Sequence, residues 1–122
     1  MYSIKKATLE ALLLAARNTY PDEFIAMLSS SKKNKVIDEY ILLPSTYGKT
    51  FSNIRLDLLP YDDHAMGIMH SHPSTNAMPS KADKRAFRAS GEIHLIIAKP
   101  FTLESVNAFD KNGELTALEV VE

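Results

Sequence analysis

Apolar positions along the chain change period several times, and each change marks an element. Residues 4–19 carry Leu9, Leu12, Leu13, Ala16 and Tyr20 at helical spacing, with Lys5, Lys6, Glu10 and Arg17 free for the exposed side. This predicts an amphipathic helix that Pro21 ends. Phe24 to Leu28 is a short apolar run with Glu23 just before it, the pattern of a buried strand. A polar turn over 29–35 leads to a predicted strand over 36–43, closed by Pro44. Beyond a loop at 45–50, Phe51, Asn53, Arg55 and Asp57 alternate with Ser52, Ile54, Leu56 and Leu58, the period-two signature of a strand. Ala65 to Met69 is another buried run. Residues 80–90 predict a helix whose Ala82, Ala86 and Ala89 allow close packing on a sheet, with Gly91 as its C-terminal cap. Residues 93–98 then read as a buried strand, and 103–109 and 115–121 as two final strands joined by Asp110-Lys-Asn-Gly113, a hairpin signal. The order predicts an α/β fold: one domain over residues 1–122, with a mixed β-sheet flanked by a helix on either side.

Composition narrows the function. Fourteen basic against fifteen acidic side chains leave a net charge of −1, which argues against nucleic acid or an anionic membrane as main partner. The longest apolar runs are far too short to span a bilayer. The N-terminus enters a mixed-polarity helical pattern and not a signal peptide, so a cytoplasmic location is expected. There is no cysteine, which removes disulfides, thiolate zinc sites and cysteine-protease chemistry together. The Pro-Cys-x-x-Cys of zinc nucleobase deaminases and the His-Glu-x-x-His of many metalloproteases are absent as well.

The chemistry concentrates between residues 65 and 83. His70 and His72 stand at i and i+2, which on an extended chain puts both rings on one face, roughly 7 Å apart at the backbone. Pro73 stops the strand, a six-residue loop follows, and Ser80-Lys-Ala-Asp83 opens the next helix. Asp83 in the first helical turn can point back at the strand end. Two histidines and one carboxylate, with a fourth position left to water, form a catalytic zinc set. Ser80 and Asp83 equally match a capping box, in which Asp83 also opposes the helix dipole. Two rivals carry less. Asp62-Asp63-His64 falls in a turn after Pro60, where acids are normally solvated, and a lone strand histidine such as His94 is more often packed than ligating.

The run His-x-His-Pro-(six residues)-Ser-x-x-Asp resembles that of the JAMM (MPN-plus) metalloproteases. The family pairs it with an upstream glutamate in an early strand, which Pro21-Asp-Glu23-Phe-Ile-Ala26-Met-Leu28 resembles, although Ala26 stands where the family usually has glycine. The resemblance covers nearly the whole chain and implies a cytidine deaminase-like fold. It implies one Zn²⁺ per chain held by His70, His72 and Asp83, Glu23 as general base, and Ser80 as hydrogen-bond donor to the oxyanion. The implied reaction is hydrolysis of the isopeptide bond between a ubiquitin-like modifier and a lysine, with the modifier's tail laid on a sheet edge near residues 45–57. Hydrolysis of another amide, such as a sulfur-carrier adduct or a small peptide conjugate, and a non-catalytic MPN-type scaffold stay open as alternatives. The family's tendency to dimerise, with Leu14 outside the helix's core stripe, is consistent with a homodimer.

Overall fold

The computed structural model describes residues 1–43 and 63–122. The predicted loop at 45–50, the alternating segment 51–58, Asp62 and the proposed substrate edge at 45–57 lie outside the described residues.

The elements run β1 (Tyr2–Lys5), α1 (Lys6–Thr19), β2 (Ile25–Ser29), β3 (Val36–Ile37), β4 (Glu39–Leu42), β5 (Ala65–His72), α2 (Lys81–Ser90), β6 (His94–Ala98), β7 (Val106–Phe109), β8 (Leu115–Thr116) and β9 (Leu118–Val121). Among the described residues the mixed sheet has six strands in the order β4-β2-β5-β6-β7-β8. Its one parallel pair joins β5 to β6, with His70 opposite Ile96 and His72 opposite Ala98; the other neighbours are antiparallel. A second, three-stranded sheet in the order β3-β1-β9 stands beside it.

Alternation along the central strands divides the core. Leu9, Leu12, Leu13 and Ala16 of α1 pack with Ala26, Leu28, Met69, Leu95 and Ile97. The other parity meets α2: Ile25 and Ile68 pack with Ala86, and Ile96 and Phe109 with Phe87. One face of β5 therefore serves α1, and the other, bearing Ile68 and His70, serves α2.

Several boundaries differ from the sequence reading, each for a local reason. The chain opens with a strand, not a helix: buried Ile4 pairs in parallel with Ile37 and Val120, partners remote in sequence. The expected single strand over 36–43 is broken at Asp38, whose N–H bonds the Ser29 carbonyl and whose carboxylate accepts from Ser31 N and Oγ. The two halves consequently enter different sheets. Leu115 to Val121 divides in the same way at Ala117. Residues 103–105 form a 3₁₀ turn closed by reciprocal Thr102–Ser105 hydrogen bonds, so β7 starts later than the pattern suggested. The Asp110–Gly113 hairpin is as read, with Gly113 at φ 81°, where a side chain would be strained.

His94 is a packed residue. It is fully buried and stacks on Phe87 with ring centroids 4.3 Å apart. Nδ1 accepts the Ile68 N–H at 3.1 Å and Nε2 donates to the Gly91 carbonyl at 2.9 Å, which fixes one neutral tautomer. Gly67 permits this arrangement, because a Cβ there would fall on the Ile93 carbonyl. Burial first of all pushes the His94 pKa down, from 6.5 to about 4. The unfolded chain therefore binds a proton that the folded chain refuses in this window, so stability should decline as pH falls from about 6.5 towards about 4. Urea titrations across that range should show this slope in the wild type and a shallower one in His94→Gln; parallel slopes would contradict the assignment.

Candidate metal centre

The end of β5, the start of α2 and the approach to β2 converge. β5 continues through both histidines before Pro73 ends it, so His70 and His72 share the α2 face as their spacing required. Ser80 caps α2: its Oγ accepts the Asp83 N–H at 3.1 Å, and an Asp83 carboxylate oxygen accepts the Ser80 N–H at 2.8 Å. The capping box is thus present, and it aims the Asp83 carboxylate at the strand. Asp83 Oδ1 lies 3.2 Å from His70 Nε2 and Oδ2 lies 3.4 Å from His72 Nε2. The two Nε2 atoms are 3.0 Å apart. Capping and clustering are not alternatives here, since one carboxylate does both.

This cluster fits a zinc ion. Zinc bonds of about 2.0–2.2 Å to nitrogen and oxygen place the corners of a tetrahedron about 3.3 Å apart, close to the separations found. The three ligand atoms lie within 4.8 Å of one another. His72 Nδ1 is 2.7 Å from the Asn76 carbonyl, which can only accept, so Nδ1 carries a proton; Nε2, which faces Asp83, is the nitrogen left to give up its proton to a metal. Residues His70, His72 and Asp83 could therefore hold the ion. The Asn76 carbonyl, which orients His72, had no sequence signal beyond the length of the loop.

The electrostatics are those of a buried anion between two imidazoles. Desolvation pushes the fully buried His70 down, against the hydrogen bond and charge of Asp83. For His72, burial is outweighed by the Asp83 hydrogen bond, the Asn76 carbonyl and the charges of Asp83 and Glu23, and its pKa is raised. Burial works to raise the Asp83 pKa, but hydrogen bonds from His70 and His72 overcome it and hold the carboxyl well below the usual range.

Glu23 stands two residues before β2, and one of its carboxylate oxygens is buried. The strand register puts it at the same end of the sheet, since Ile25 lies opposite His70 and the Phe24 carbonyl accepts the Ser71 N–H at 2.8 Å. It also lines an open groove of about 440 Å³ together with Asn18, Phe24, Tyr40 and Leu42. Of the rival cluster's described residues, Asp63 pairs with Lys33 at 2.6 Å and with His64 at 3.1 Å on the surface. Among the described residues no helix is long and apolar enough to cross a membrane.

The family model for prokaryotic homologs of the JAB domain matches residues 5–110, which include Glu23, both histidines, Ser80 and Asp83. The chain belongs to this JAMM/MPN family. A Haloferax volcanii protein named "Probable metalloprotease" is 33% identical to it over 123 residues, 93% of this chain and 76% of that protein. A solved JAB1/MPN domain protein from Archaeoglobus fulgidus is 35% identical, with a TM-score of 0.79 and all of both chains covered. A structure described as "JAMM: A Metalloprotease-like Zinc Site in the Proteasome and Signalosome" is 34% identical, again at TM-score 0.79, over 100% of this chain and 99% of that one. The JAB domain described here thus shares the fold of these proteins as well as their family.

The site predicts one zinc bound per chain. Plasma emission analysis of freshly purified protein should find it. His72→Ala, at a partly exposed position, should lose most of the metal while the melting temperature of the metal-free protein stays within a few degrees of wild type; stoichiometric zinc in that variant would contradict the cluster.

Proposed function

We propose that this JAB domain is a zinc isopeptidase that cleaves the bond between the C-terminus of a ubiquitin-like modifier and a lysine side chain. The observation that carries the reading is the convergence of His70 Nε2, His72 Nε2 and the Asp83 carboxylate at 3.0–3.4 Å, with Glu23 entering at the same end of the sheet. Family membership supports the reaction class, and the presence of all these residues disfavours a scaffold role.

His70, His72 and Asp83 would hold a zinc ion, which would supply a Lewis acid able to lower the pKa of water towards about 7. Glu23 takes a proton from the attacking water and delivers it to the leaving lysine amine, turning a poor leaving group into a neutral one. Glu23 is not counted as a ligand, since three protein ligands leave the open position that hydrolysis needs. Ser80 accepts the Asp83 N–H with its oxygen lone pair and keeps its own O–H, which donates to the carbonyl oxygen as charge develops there. The modifier's glycine-rich tail reaches this position as an extended segment along a sheet edge.

The assay is cleavage of a modifier–lysine conjugate by zinc-loaded protein. Glu23→Gln should keep zinc and lower kcat by roughly 10²–10⁴. Near wild-type turnover in that variant would remove Glu23 as base, and loss of zinc would make it a ligand instead. Cleavage of sulfur-carrier adducts or small peptide conjugates alone would replace the substrate class. For Ser80, the Ser80→Ala variant separates two roles: oxyanion donation predicts a kcat loss of roughly 10²–10³ with zinc retained, whereas a cap alone predicts about 1 kcal/mol of lost stability and an almost unchanged rate.

A further inference from the structure

We infer that Ser71, between the two histidines, is the positioning residue that sets where Glu23 stands; this rests on the role of Glu23 proposed above. Strand alternation turns Ser71 to the opposite side of β5 from His70 and His72, which on sequence grounds removes it from the chemistry. The structure gives it a different task. Ser71 is buried, and its backbone N–H and its side-chain oxygen both close on one residue, Phe24. The Ser71 N–H donates to the Phe24 carbonyl at 2.8 Å, and the Ser71 Oγ accepts the Phe24 N–H at 2.8 Å.

Phe24 follows Glu23 directly and lies just outside β2. The regular β2–β5 register ends at Ile25 opposite His70. At the next residue a side-chain oxygen holds the incoming N–H. That N–H belongs to the rigid plane of the Glu23–Phe24 peptide, so holding it fixes the plane attached to the Glu23 Cα. On the other side, the Asp22 N–H bonds the Thr19 carbonyl at 2.9 Å and anchors the turn that closes α1. Glu23 is held between these two anchors. Because Ser71 is flanked by His70 and His72 on one strand, the clasp ties the base to the same rigid segment as two of the metal-capable residues. A shift of β5 would carry both sides of the site together.

The test uses the full chain. In protein with ¹³C-labelled glutamate carboxyls, Glu23 is assigned by the signal lost in Glu23→Gln, and zinc is then added. Wild type and Ser71→Thr, which keeps the hydroxyl, should show a distinct Glu23 response. Ser71→Ala should bind zinc in equal amount, show a weakened or broadened Glu23 response, and exchange its Phe24 amide faster. Ser71→Cys, close to serine in shape but a weak acceptor, should behave like Ser71→Ala and serves if alanine fails to fold. With conjugate as substrate, Ser71→Ala should lose about 10–100-fold in kcat at unchanged KM, the scale of losing an orienting partner. In the Glu23→Gln background the same change should cost less than about twofold, because the two residues act as one unit. An unaltered Glu23 response in Ser71→Ala, or the full rate loss on top of Glu23→Gln, overturns the inference. If zinc-loaded wild type cleaves no conjugate, the proposed substrate falls, while the carboxyl response still decides whether Ser71 holds Glu23.

Discussion

The Asp83 carboxylate is the constraint on which the site turns. Its oxygens must satisfy the N-terminus of α2 and face two imidazole nitrogens at the end of β5. A buried carboxylate without such partners would be strongly disfavoured, and here the backbone N–H of Ser80 and the two histidines supply them. The start of the helix therefore cannot move along the strand without uncovering the charge. The six-residue loop between them has only to span the gap, and its Asn76 carbonyl adds the hydrogen bond that orients His72.

The sheet makes that convergence rigid. His70 is at the centre of the six-stranded sheet, between β2 and β6, with Phe87 of α2 over the same face. The parallel β5–β6 pair brings the C-terminal ends of both strands to one edge, and Glu23 arrives there from the antiparallel neighbour β2. His94, one strand away on the same face, is committed to the Ile68 N–H and the Gly91 carbonyl. Two buried histidines on neighbouring strands thus have opposite uses: one is spent on backbone hydrogen bonds, and the other offers Nε2 to a neighbouring imidazole and a carboxylate.

Much of this was legible in the residues. The i, i+2 spacing of His70 and His72 fixes a common face for any strand that runs through them, and the Ser80–Asp83 spacing fixes a capped helix start. What was hidden depended on partners remote in sequence. Ile4 and Lys5 read as the start of a helix until the parallel pairing of Tyr2–Lys5 with Val36–Ile37 and Leu118–Val121 is known. Asp38 looks like a surface residue in a strand, yet its bonds to Ser29 and Ser31 divide that strand between two sheets. Alternation along β5 says where the Ser71 side chain points but not that the Phe24 N–H waits there. Ser80 and Asp83 fit both a cap and a cluster, and one Asp83 carboxylate caps the helix while facing both histidines.

Where a zinc ion lies relative to four side chains decides whether this cluster is a hydrolytic metal centre. Anomalous diffraction at the zinc edge from crystals of the metal-loaded protein measures this. The account predicts a single peak bonded to His70 Nε2, His72 Nε2 and an Asp83 oxygen at about 2.0–2.2 Å, with Glu23 off the metal and within hydrogen-bond reach of a fourth, solvent ligand. A peak elsewhere, or one with the Glu23 carboxylate bound directly to it, would contradict the account.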